Sequence, residues 1–140
     1  TAARRRAARD CQTFHRRLMR PVIIVRPEPG ASATARRAEQ LGLIFHCIPL
    51  FTIAPLDWHV PETGDFDALL ITSANAIRHA GPQLAQLARL PSYCVGAATA
   101  ATARAAGLTV AGTGTAGAQA LVDSMTSRGH RKLLWLTGKD

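Results

Sequence analysis

The chain is poor in several things that usually announce a function. Aromatic residues make up 5% of it, and there are nine acids in 140 residues. Acids this sparse do not nominate a carboxylate pair for acid–base work. The cysteines, Cys11, Cys47 and Cys94, are widely spaced and form no Cys-x-x-Cys. No disulfide framework or zinc knuckle follows, and a reducing cytoplasm fits best. Cys47 and Cys94 fall inside apolar strand patterns and are expected to be buried as small hydrophobes. The five histidines show no His-x-x-His or Glu-x-x-His spacing, so no metal site is expected. No Gly-x-Ser-x-Gly elbow anchors a hydrolase triad. No apolar run approaches the roughly 20 residues that cross a bilayer, and no signal-peptide h-region opens the chain.

Charge of one sign is abundant, but only locally. The net charge is +8. Residues 1–20 hold seven arginines against Asp10, whereas residues 21–140 hold ten basic and eight acidic residues. The basicity belongs to a tail. A nucleic-acid binder needs a basic face on a folded module, which is missing after Arg20. Residues 1–18 read as a basic extension outside the fold, with Met19 as a natural initiator.

What is present is the grammar of a parallel α/β protein. Val22-Ile-Ile-Val25 is a strand ending at Arg26-Pro27. A helix capped near Ser32 follows, with Ala31, Ala35, Ala38 and Leu41 on its buried face and Gly42 as its stop. A second strand runs from Ile44 to Ile48. This βαβ unit fills residues 19–50 and cannot cover both faces of its own sheet. Phe51–Ala54 reads as a short strand within a Pro- and Gly-containing linker, residues 51–65. A second domain, 66–140, then alternates strands at 67–71, 92–95, 108–111 and 132–136 with helices at 74–80, 83–89, 98–106 and 118–128. Two apolar runs break sharply into small polar residues, Asp67–Ile71 into Thr72-Ser73-Ala74-Asn75 and Ser92–Val95 into Gly96-Ala-Ala-Thr99. Thr72-Ser73 and Thr99 read as helix N-caps. Such strand ends offer hydroxyls and backbone amides to an anionic ligand.

Gly112-Thr-Gly-Thr-Ala-Gly117 is a literal G-x-G-x-x-G between a strand and a helix. The alternative reading is therefore an NAD(P)-binding Rossmann-like domain, with Gly112, Gly114 and Gly117 under a pyrophosphate and Asp140 on the ribose. Against it, the motif sits on the third strand–helix turn of its domain rather than the first, and a Gly/Ala/Thr-rich chain produces such matches by chance.

Taken in order, the segments Val22–Pro27, Gly42 to Ile48-Pro49, Phe66–Ala76, Tyr93–Ala100, Ala105-Ala-Gly107, Gly117–Leu121 and Leu133–Gly138 resemble the uroporphyrinogen-III synthase family. The likeness spans about residues 20–140. It implies two doubly wound parallel-sheet α/β domains joined by a two-stranded linker, of which this chain is an incomplete fragment, inactive alone. It implies cyclisation of hydroxymethylbilane with loss of water and inversion of ring D, and no cofactor. Arg26, Thr72, Ser73, Asn75, Gly96, Thr99 and Gly138 match positions expected to bind the substrate, with Lys139 a weaker candidate. No catalytic residue is nominated, because the tyrosine proposed as the family's proton donor lies beyond residue 140. The only partner implied is the small-molecule substrate, without nucleic acid or membrane, and the full-length protein is expected to be a monomer.

Overall fold

A computed structural model describes residues 20–139. The chain divides into two compact units, Thr1–Ile53 and Ala54–Asp140. The basic extension, with Cys11 and Met19, lies outside the described residues, as does Asp140.

In the first unit, β1 (Val22–Ile24) pairs in parallel with β2 (Phe45–Cys47), Val22 opposite Phe45 and Ile24 opposite Cys47. The crossover helix α1 spans Gly30–Gln40 and buries Ala31 and Ala38. The cap expected at Ser32 or a neighbour lies before Ser32. Pro29 is the N-cap, and the Glu28 carboxylate does the capping, accepting from the Ser32 backbone N–H at 3.1 Å and the Ser32 hydroxyl at 2.8 Å. The helix stops as Gly42 dictates. Gly42 takes φ +69°, where a side chain would be strained, and Leu43 N–H reaches back to the Ala38 carbonyl at 2.9 Å. Leu41, expected on the buried face, is exposed because it is already the C-cap. Ile23, Ile48 and Phe51 are exposed too, and Cys47, expected to be buried, is exposed. Two strands and one helix bury a single sheet face, so Ile23 and His46 on the other face stay open, while Cys47 is exposed although it lies opposite the buried Ile24. Phe51–Ala54 forms no strand; an extended segment becomes one only with a ladder partner, and none pairs with it among the described residues.

The second unit is a four-stranded, all-parallel sheet. Its strands are β3 (Ala68–Ile71), β4 (Ser92–Val95), β5 (Val110–Gly114) and β6 (Leu133–Leu136), in the spatial order β5-β4-β3-β6. β3 is buried on every residue, which is why it reads as a continuous apolar run. Side chains alternate between two cores. Leu69, Ile71, Cys94 and Leu136 pack with Ile77, Leu84, Leu87, Ala100 and Ala103. Ala68, Leu70 and Tyr93 pack with Leu121 and Met125. Hence the helices α2 (Ala74–Arg78) and α3 (Ala97–Ala105) lie on one face and α4 (Gly117–Ser127) on the other. The alanines of α3 serve close packing, Ala103 being wholly buried. The helix expected at 83–89 is a 3-10 helix, Pro82–Leu87, entered by a glycine–proline step. Trp58 braces this region by donating Nε1–H to the Ala80 carbonyl at 2.8 Å.

Candidate functional site

β3 leads to β4 through α2 on one face of the sheet, whereas the chain reaches β6 through α4 on the other face, crossing back over β4 and β3. The carboxyl ends of the strands are where open parallel sheets take ligands. The register aligns the ends: Ile71 lies opposite both Cys94 and Leu136. Thr72-Ser73, Val95-Gly96 and Thr137-Gly138 therefore line one edge of the sheet, and Asn75 and Thr99 open the helices that start there.

Each expected residue has a definite setting. Ser73 is the N-cap of α2, accepting from Asn75 N–H at 3.2 Å. The Asn75 side-chain oxygen accepts from Arg78 Nη1 at 2.9 Å. Thr72 accepts from Trp135 Nε1 at 3.2 Å, a bond linking the ends of the paired strands β3 and β6. Thr99 is not a cap. Gly96 holds that position at φ 85°, and Thr99 sits within the first turn of α3, buried at 6% exposure. A glycine cap has no side chain to spend on the helix, and no side-chain cap bond occupies the α3 start. Its amides are therefore open to an external acceptor. Gly138 and Lys139 are exposed beyond β6. Arg26 belongs to the first unit, where its Nη1 donates to Thr34 Oγ1 at 3.4 Å. The structure thus groups Thr72, Ser73, Asn75, Gly96, Thr99 and Gly138 at one sheet edge and leaves Arg26 in the other unit. Sequence reading missed Trp135 as a partner of this edge. Only the β3–β6 register, pairing strands some sixty residues apart, brings it to Thr72.

The glycine motif has a different explanation. Gly112 and Gly114 are inside β5, on the sheet edge and not in the turn, and only Gly117 is at the helix start. A Cβ on Gly112 would lie 2.6 Å from Tyr93 Cδ1, and one on Gly114 would lie 3.2 Å from Leu121 Cβ. Both glycines make room for packing. A dinucleotide fingerprint needs them in the loop beneath the pyrophosphate, so that reading is not favoured. Its acidic member, Asp140, lies outside the described residues.

At the opposite end of the sheet, Asp67 accepts from the backbone N–H groups of Arg131 at 2.7 Å and Lys132 at 2.9 Å. Those bonds hold its carboxyl below the usual pKa, with smaller help from the positive charge nearby. This contact orders the entry to β6 and stands away from the ligand edge. Tyr93 OH and His130 Nε2 meet at 3.0 Å on the α4 side. Among the described residues, no group of three or more His, Cys, Asp or Glu could hold a metal ion. No described helix is long and apolar enough to cross a membrane.

The family model for uroporphyrinogen-III synthase HemD matches residues 32–140. Among solved structures, uroporphyrinogen III synthase from the extremely thermophilic bacterium Thermus thermophilus is similar at 21% identity with a TM-score of 0.37. The match covers 84% of this chain and 60% of that one, so the chain spans less than two thirds of that relative's length. No curated protein matches.

Proposed function

The chain belongs to the uroporphyrinogen-III synthase HemD family, and from that premise we propose that the protein cyclises hydroxymethylbilane to uroporphyrinogen III, with loss of water and inversion of ring D. The observation that carries the reading is the family match over 32–140, which runs from α1 of the first unit through β6 of the second. We place the first βαβ unit at 19–50, the linker at 51–65 and the second domain at 66–140.

The chemistry asks little of conventional acid–base groups. Protonation of the substrate hydroxyl and its departure as water leave an azafulvene cation that closes readily by itself. Unassisted closure joins ring D head to tail; the enzyme must direct attack through a spiro intermediate so that ring D is inverted. This is catalysis by positioning. The substrate carries eight carboxylates, and a site rich in amide and hydroxyl donors suits it. Thr72, Ser73, Asn75, Thr99 and the amides at Gly96 and Gly138 are the proposed donors in the second unit, and Arg26 in the first. No cofactor enters the scheme.

The test supplies freshly generated hydroxymethylbilane to the product of the gene's whole reading frame, oxidises the products and separates the uroporphyrin isomers. Predominantly isomer III establishes the activity. Isomer I alone, from folded protein, refutes it. The 140-residue chain is expected to give isomer I.

A further inference from the structure

We infer that Gly30 and Thr34 are positioning residues for Arg26, fixing its guanidinium as a preformed receptor for one carboxylate of a polycarboxylate ligand. The inference deepens the proposed function and rests on it.

Arg26 stands two residues past β1, at the carboxyl end of a parallel strand pair, the end where such sheets meet ligands. An exposed arginine there would ordinarily sample many rotamers and lose that freedom on binding. Here its head, though exposed, lies against the start of α1. A Cβ built on Gly30 would lie 2.5 Å from Arg26 Nε, 2.7 Å from Nη2 and 2.8 Å from Cζ. The guanidinium thus lies against the bare Cα of the first residue of α1. Thr34 braces the remaining nitrogen: its Oγ1 accepts from Arg26 Nη1 at 3.4 Å while donating to the Gly30 carbonyl at 2.9 Å. The acid nearest in sequence, Glu28, gives both carboxylate oxygens to Ser32.

The backbone does not require a glycine at this position. Gly30 is absent from the residues with positive φ, and alanine is the better helix former. Space for Arg26 is what the missing side chain supplies. A guanidinium fixed in advance loses less freedom when a carboxylate docks, which is the gain from preorganisation.

The test is a double-mutant cycle on the product of the gene's whole reading frame, read by fluorescence anisotropy of uroporphyrin, an octacarboxylic porphyrin. The variants are Gly30→Ala, Arg26→Ala and the double. The wild type should bind. Each single variant should bind roughly tenfold more weakly, the scale of one charge-assisted contact. The double should be no weaker than Arg26→Ala alone, because Gly30 acts through Arg26. Gly30→Ala should melt no lower than the wild type, which separates displacement of the guanidinium from damage to the fold. Thr34→Val should weaken binding and Thr34→Ser restore it. Wild-type affinity in Gly30→Ala, or losses that add in the double, overturns this inference alone. Failure of the wild type to bind uroporphyrin overturns it together with the functional reading beneath it.

Discussion

Gly112→Ala separates two meanings of the same glycine. The new methyl would meet Tyr93 Cδ1 at 2.6 Å and Cε1 at 2.9 Å, closer than carbon atoms approach. The ring has little room to retreat. Tyr93 is 3% exposed, packs with Leu121 and Met125, and is tethered through its hydroxyl to His130 at 3.0 Å. Moving the ring sacrifices packing or that bond; moving β5 disturbs its ladder with β4. Overpacking of this kind costs about 1–3 kcal/mol. With an m-value of about 2 kcal/mol/M in urea, a loss of about 2 kcal/mol shifts the midpoint down by about 1 M. Tryptophan fluorescence reads this well, since Trp58 and Trp135 both lie in the second unit. In a Tyr93→Leu background the Gly112→Ala penalty should shrink by half or more. An unchanged midpoint for Gly112→Ala would refute the packing argument. If saturable NAD binding by the wild type were also lost in that variant, the dinucleotide reading would return.

The other predictions concern titrating groups. The Asp67 carboxyl is depressed by its two backbone donors, so its contribution is fully present above the ordinary value of 3.8 and is lost as pH falls through the depressed folded value. The stability difference between wild type and Asp67→Ala should therefore be constant above pH 3.8 and shrink as pH falls below it, as followed by urea unfolding; a difference that persists at the lowest pH would contradict the assignment. Burial raises the Cys94 thiol pKa while Cys47 is exposed. In a Cys11→Ser background, a thiol reagent at neutral pH should modify Cys47 quickly and Cys94 only on unfolding. Rapid modification of both under native conditions would contradict the burial.

Local pattern alone made the parallel α/β class legible, because buried strands such as Ala68–Ile71 must be continuously apolar and strand–helix units repeat at short spacing. It also determined helix ends, since Gly42, Gly107 and Gly129 supply the left-handed backbone that closes α1, α3 and α4. Ser73 was legible as a cap for the same local reason. What needed contacts distant along the chain was not legible. Whether Phe51–Ala54 becomes a strand depends on a ladder partner. Whether Cys47 is buried depends on what covers its face of the sheet. Whether Gly112 lies in a turn or a strand was decided by its neighbour Tyr93, nineteen positions back. The pairing of Trp135 with Thr72 arose from the order β5-β4-β3-β6. Local pattern records what each segment can be, because propensity and capping act within a few residues. Only the tertiary fold selects which segments meet, because register and close packing are energies between segments and belong to no one of them.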